Sequence, residues 1–597
     1  MMLSIRTGGA LFCALAIATA SAQTKPADPS APHLEKRGVA TQLIVDGKPF
    51  LVLGAEPPTS GTSNPEYLRY MYSVLAATHQ NTGAMAAGWA WIEPEKGKYD
   101  FRLVDAMIQD AKEFGQRIAL VWFGSWKNGV SSFAPLWVKA DQEQFPRAQI
   151  KDGLTAENLS TFSHNNWEAD ARAFAALMRH IREVDKSHRV ILVQVENEIG
   201  IFGDTRDRSA AASQAFAGPV PAELMDYLLK HKEELHPDLG KVWDAAGAKT
   251  SGTWAEVFGK GPEADEVFMA WSYARYVNHV AEAGKKEYPV PMFVNVWGIQ
   301  GWGKGPAGEA FDHVLDIWKA GAPMVDMSCP DAYMGTQNAA NRIVELTKRY
   351  THAGNVFFTV EAEDGPVGAA HAFYAIGQQR AIGYSGMGTD GLLEWFTRTG
   401  INLPSSVTPA GSDALSRLVG FGGPTAPAPL PPVPPEYEGK ALSQAFLVLS
   451  QVAPQILEHQ TNGTIAGVAL DRQRTDEKVK LGNYILNVGL PHGRGSTNVP
   501  NIIGYGVFMA TGPDEYLIAG NNLFLTFTPD SPGPPIAGLG EQAAGRFDKN
   551  GKWVTTHFLG GDDSVFSSAP TPGQSGSVVR VEFGEHAIQR VKLYRYR

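Results

Sequence analysis

Cysteine is nearly absent: Cys13 and Cys329 are the two in 597 residues. Cys13 lies inside the apolar run Ala10 to Ala18, between Arg6 and the small residues Ala20-Ser21-Ala22. That order of charge, apolar core and small-residue site reads as an export signal over residues 1–22, and the run is shorter than a spanning helix needs. Cys329 is then alone in the mature chain, which excludes an intramolecular disulfide framework, and a chain of this size does not need one. Just after an apolar stretch and before Pro330, Cys329 reads as a buried, inert thiol.

A basic surplus is lacking as well. Lys and Arg number 52 against 62 Asp and Glu, a formal net charge of -10, which argues against nucleic acid as a partner. Beyond the signal no run is long and apolar enough to cross a bilayer, so no membrane span is expected in the mature chain. The chain has no zinc signature, no nucleophile elbow, no phosphate loop and no Gly-rich dinucleotide turn. No cofactor or metal is indicated. Internal repeats and coiled-coil heptads are missing, and nothing in the pattern speaks to oligomeric state.

What the chain does have is apolar material, 44% of residues, in a repeating order. After a polar leader over 23–39, expected to be disordered, apolar runs alternate with stretches of helical spacing. The runs are Phe50 to Ala55, Thr82 to Ala87, Arg117 to Phe123, Val190 to Val195, Met292 to Val296, Met324 to Met327, Val356 to Val360, and Ile382 to Ser385. Strands buried on both faces look like this in parallel sheets. The fold class expected is α/β, a (β/α)₈ TIM barrel over 40–462 followed by a small all-β sandwich domain over 463–597. The Pro-rich stretch from Gly420 to Pro435 is read as part of a long loop, because Leu442 to Ala453 still carries helical spacing.

In such a barrel the site lies at the C-terminal ends of the strands. The polar and aromatic residues there are Glu56; Trp89 and Trp91; Trp122, Trp126, Lys127 and Asn128; Glu196, Asn197 and Glu198; Asn295 and Trp297; Asp331 and Tyr333; Glu361, Glu363 and Asp364; and Tyr384, Ser385 and Asp390. Carboxylates, amides and Trp faces suit sugars: indole stacks on the apolar face of a pyranose, and carboxylates or amides bond its hydroxyls. Glycoside cleavage needs two carboxyls flanking one bond, one protonated and one ionised. Glu198 and Glu361, closing strands four and seven, are the candidate pair, with Glu363 the alternative to Glu361. A non-catalytic carbohydrate-binding barrel is the reading from another class.

Three segments carry a resemblance. Gln194-Val195-Glu196-Asn197-Glu198-Ile199-Gly200, Glu93-Pro94-Glu95-Lys96-Gly97-Lys98-Tyr99-Asp100-Phe101 and Val45-Asp46-Gly47-Lys48-Pro49-Phe50 resemble glycoside hydrolase family 35 β-galactosidases of clan A, in a divergent bacterial branch ending in one β-sandwich. Gly512 to Gly520 is similar to part of that branch's C-terminal domain. The resemblance implies a retaining exo-β-galactosidase acting on plant-type oligosaccharides outside the cytoplasm, periplasmic or extracellular. It implies Glu198 as acid/base, Glu361 as nucleophile, Asn197 on the 2-hydroxyl of the sugar and Tyr333 orienting the nucleophile. The remaining substrate-binding candidates are Glu196, Glu56, Trp89, Trp126 and Asn295. The chain departs from the family pattern in having Ile199 for Tyr and Glu361-Ala362-Glu363-Asp364-Gly365 around the nucleophile. Another clan A exo-glycosidase, a β-glucosidase or arabinosidase, is the near alternative.

Overall fold

The computed structural model describes residues 30–388, 441–491, 502–560, 565–566, 578–583 and 586–597. The export signal, Asp390 and the Pro-rich stretch lie outside them.

Seven strands form one parallel sheet: Val52–Glu56, Thr82–Gly88, Arg117–Phe123, Val190–Val195, Met292–Val296, Met327–Pro330 and Gly383–Met387, barrel strands one to six and eight. The sheet is closed by residues 356–362, the seventh strand. It touches strand eight at Thr359↔Tyr384 and the end of strand six at Ala332↔Ala362, through isolated bridges rather than a ladder. The (β/α)₈ barrel and the all-β domain after it are therefore both present. Strand six starts at Met327, three residues beyond its expected start at Met324. Asp326, the residue before it, is already tied to strand five: its amide donates to the Met292 carbonyl at 2.7 Å, and its carboxylate accepts from the Met292 amide at 2.7 Å and from Lys285 at 2.6 Å.

The polar leader ends sooner than expected. Instead of staying disordered to residue 39, the chain forms His33–Arg37, a strand antiparallel to Ala40–Val45, which pairs in turn with Lys48–Phe50. Gly38 permits the turn: its φ is 57°, and a Cβ there would lie 2.2 Å from the Thr461 carbonyl. Leu43 and Val45 bury against the foot of the barrel beside Val52 and Leu192. Apolar burial on one face thus orders a segment whose other face is charged.

The C-terminal domain is a sandwich of a six-stranded and a five-stranded antiparallel sheet. Between them lie Val468, Leu486, Phe508, Ile518, Leu525 and Val581. The outer face of the larger sheet packs on helices Pro366–Gln378 and Ala441–Asn462, the second of which ends just ahead of the domain's first strand, Ile465–Leu470. Contact is close at Gly377, where a Cβ would meet the Gly467 Cα at 2.8 Å and its N at 2.9 Å. Both neighbours are backbone and cannot swing away. Gly377→Ala is expected to lower the free energy of unfolding by about 1–3 kcal/mol, as overpacking does, measured by urea denaturation followed through tryptophan fluorescence.

Candidate active site

Strand four delivers two acids in opposite directions. Glu196 and Glu198 both take left-handed backbone, φ 64° and 45°, an uncommon conformation for these residues that the surroundings must hold. The Glu196 carboxylate accepts from the Ser125 and Trp126 amides at 3.2 and 2.8 Å, fixing the chain after strand three. The Glu198 amide donates to Asn295 Oδ1 at 2.9 Å, fixing the acid above strand five.

Glu198, Asp331 and Glu361 each place one carboxylate oxygen within 4.8 Å of the other two. Burial, and then the charge of Glu361, push the Glu198 carboxyl up to about 7, against the opposing pull of Lys127 and the Trp297 side chain. Tyr333 donates its hydroxyl to Glu361 Oε1 at 2.8 Å. Glu363 is turned away: Gly335 donates to its Oε1 at 2.8 Å, and Tyr384 OH donates to its backbone carbonyl. Geometry therefore favours Glu361 over Glu363 as the partner of Glu198.

The neighbouring acids are shifted the same way. Glu56 is raised well above the carboxylate range by burial and then by Glu361, and Asp331 likewise. Glu309, fully buried, is raised by burial and then by Glu198, against a bond from the Trp297 backbone. One cation, Lys127, opposes the charge on both Glu198 and Glu56. Lys127→Met is thus expected to move the alkaline limb of kcat/KM upward by up to about one unit, since a favourable charge is lost to the ionised form of Glu198. A pH profile of kcat/KM reads this directly. Among the described residues the acidic group with metal-binding spacing is this same trio, Glu198, Asp331 and Glu361. An ion seated there would occupy the two carboxyls that glycoside cleavage needs free.

Several sequence candidates stand elsewhere. Trp89 and Trp126 are both fully buried and cannot be sugar platforms. Trp89 donates its indole N–H to Glu93 at 2.9 Å, and Trp126 packs edge-on against Tyr273 and Tyr276 on helix Pro262–Glu287. Glu196, tied to two amides and raised by burial and the Asp170 carboxylate, is a brace rather than a substrate ligand. Asn295 is buried, accepts from Glu198 and Gln194, and faces Asp331. It positions the acid and does not reach the sugar. Asn197 is also buried, its Oδ1 accepting from Gln194 at 2.7 Å and its Nδ2 donating to the Lys127 carbonyl at 2.7 Å, with one N–H left over. Glu56 and Tyr333 stand at the mouth with the pair.

The residues missing from that candidate set are Lys127, Asp331, Trp297 and Glu309. The first three close strands three, six and five, where the strand-end rule could have promoted them. Glu309 directly follows the Gly-rich loop Gly303 to Gly308, with no signal in the sequence.

Residues 70–259 match the glycoside hydrolase family 42 model, described as Beta-galactosidase, and residues 442–569 match a domain of unknown function, DUF5597. The match is thus to family 42, where the sequence motifs pointed to family 35. A comparison with curated proteins finds no match. Similar solved structures include a β-galactosidase from the psychrophilic Marinomonas ef1, at 12% identity and TM-score 0.38, covering 56% of this chain and 53% of that one. Another is a β-galactosidase from the haloarchaeon Halorubrum lacusprofundi, at 17% identity and TM-score 0.36, covering 56% and 52%. A third is an endo-β-1,4-mannanase from Thermotoga petrophila, at 12% identity and TM-score 0.37, covering 81% and 96%. The chain spans about half the length of the two β-galactosidases. Residues 70–259 of the barrel are thus similar to the family 42 β-galactosidase model, and three carboxyls stand together at the barrel's mouth.

Proposed function

We propose that the protein is a retaining exo-β-galactosidase, exported to the periplasm or beyond, that removes terminal β-galactose from plant-type oligosaccharides. The observation that carries this is the spacing of Glu198 and Glu361, with carboxylate oxygens within 4.8 Å, together with the proton held on Glu198 up to about pH 7. Retaining pairs lie about 5–5.5 Å apart, whereas inverting pairs leave about 6.5–9.5 Å for a water.

Glu361 attacks the anomeric carbon while Glu198 gives its proton to the glycosidic oxygen. The bond between C1 and that oxygen breaks, the leaving group departs as an alcohol, and the galactosyl unit is esterified to Glu361. Esterification removes the Glu361 charge, which is one of the two influences that hold the Glu198 proton. Glu198, now ionised, takes a proton from water as the water oxygen attacks C1. The ester bond breaks, β-galactose leaves, and both acids return to their starting states. Tyr333 keeps one Glu361 oxygen bonded while the other reacts. Glu56, and the spare N–H of Asn197, are the groups at hand for sugar hydroxyls.

The test is hydrolysis of aryl β-galactoside set against aryl β-glucoside and α-L-arabinoside. Galactoside is expected to be turned over fastest. Preference for either of the others reassigns the sugar, and turnover of none removes the hydrolase reading.

A further inference from the structure

Glu361, with Tyr333, belongs to the side of the mouth built by strands six and seven. Trp297, just past strand five, has its side chain near enough to Glu198 to favour the ionised form. Trp297 is 40% exposed, whereas Trp89, Trp122 and Trp126 at other strand ends are buried. Its ring meets Phe202 edge-on, centroids 5.2 Å apart at 64°, leaving an indole face open.

Phe202 follows the acid/base by four residues and is locked in place. Ile201 and Ala307 exchange both backbone hydrogen bonds, at 3.2 and 3.0 Å, and the loop after strand three closes on Phe202 so tightly that a Cβ on Gly129 would lie 2.5 Å from its ring. The aromatic wall is therefore made by the loops after strands four and five and backed by the loop after strand three. It is rigid, partly apolar and adjacent to the proton donor.

An acid that protonates a glycosidic oxygen must lie beside the leaving group. From this geometry we infer that Trp297 and Phe202 form a subsite for the leaving group, which takes a pyranose by its apolar face. The inference rests on the glycosidase reading above. It narrows the substrate class to galactosides whose aglycone is itself a sugar ring, an oligosaccharide rather than a small alcohol. Trp297 contacts the aglycone, and Phe202 positions Trp297.

Two substrates separate this subsite from the chemistry. β-Galactosyl fluoride has no aglycone ring and needs little acid assistance, whereas a β-galactosyl disaccharide must fill the subsite. Trp297→Ala is expected to lower kcat/KM for the disaccharide about tenfold more than kcat/KM for the fluoride, the scale of one lost aromatic stacking contact with its buried area. Phe202→Ala should lower the same ratio less. Trp297→Phe, which keeps a ring and loses the indole N–H, should restore most of the ratio. An unchanged ratio in Trp297→Ala would overturn the subsite while fluoride turnover leaves the hydrolase reading standing. A Trp297→Phe enzyme as poor as Trp297→Ala would assign the loss to the indole N–H near Glu198 and overturn it too. If the wild-type protein hydrolyses neither compound, the subsite and the glycosidase reading fall together.

Discussion

Glu361→Gly is expected to lower kcat on an aryl β-galactoside by a factor on the order of 10⁴–10⁶, the scale of removing a nucleophile from a concerted set. The loss arises because no other carboxylate can reach the anomeric carbon from the same side. Glu363 is held by Gly335, and burial, the larger influence on Asp331, still raises its carboxyl once the Glu361 charge is gone. The glycine leaves a hole beside Tyr333 in which a small anion fits. Azide should therefore restore part of the rate and yield galactosyl azide of inverted configuration. Rescue seen in a Glu363→Gly enzyme and missing from Glu361→Gly would reverse the assignment. Loss of the Glu361 charge also removes an influence that raises Glu198 and Glu56, so the residual reaction without azide should have its alkaline limb below that of the wild type.

Glu198→Gln should behave differently, and the difference identifies its role. Removing general acid catalysis costs about 10²–10⁴ in rate. That full cost should appear with a galactosyl disaccharide, whose sugar leaving group cannot depart without a proton. With a dinitrophenyl galactoside, whose phenolate leaves unaided, the first step should be nearly spared and the ester on Glu361 should accumulate as a burst of phenolate. The pH profile carries a second sign. In the wild type kcat/KM should fall as pH rises through about 7, where Glu198 loses its proton. In Glu198→Gln that alkaline limb should vanish. A limb retained at the same pH would mean that another group supplies the proton.

How much of this was legible in the sequence differs from residue to residue. Glu198 could be found because its signal is local: two acids around an Asn directly after the buried run Val190–Val195. The barrel was legible because strands buried on both faces leave continuous apolar runs, and seven of the eight pair as parallel strands. The seventh region joins through isolated bridges, a departure that its apolar run Val356 to Val360 does not announce. What the strand-end rule could not supply was direction. It names the rim but not which way a side chain turns once the strand has ended. Glu196 and Glu198 diverge through two left-handed residues, and no propensity foretells left-handed Glu. Trp126 was misplaced for the same reason: the amides that Glu196 holds turn its ring outward onto Tyr273 and Tyr276. Trp297 stayed exposed because strand five is followed by Gly298, whose φ is 63°, and not by a helix that would cover the indole. The leader was misread because its polar composition hid Leu43 and Val45, the apolar residues just beyond it that draw the hairpin onto the barrel foot.

The central claim is that Glu361 forms the covalent bond to the sugar with Glu198 as its proton donor. A 2-deoxy-2-fluoro-β-galactosyl fluoride slows both steps, but the second more, so the ester should build up. Incubated with the native enzyme and digested, it should add one fluorosugar mass to the peptide containing Glu361, and fragment ions should place it on that residue. An adduct on Glu363 or Asp331, or none while β-galactosides are hydrolysed with inversion, would contradict the account.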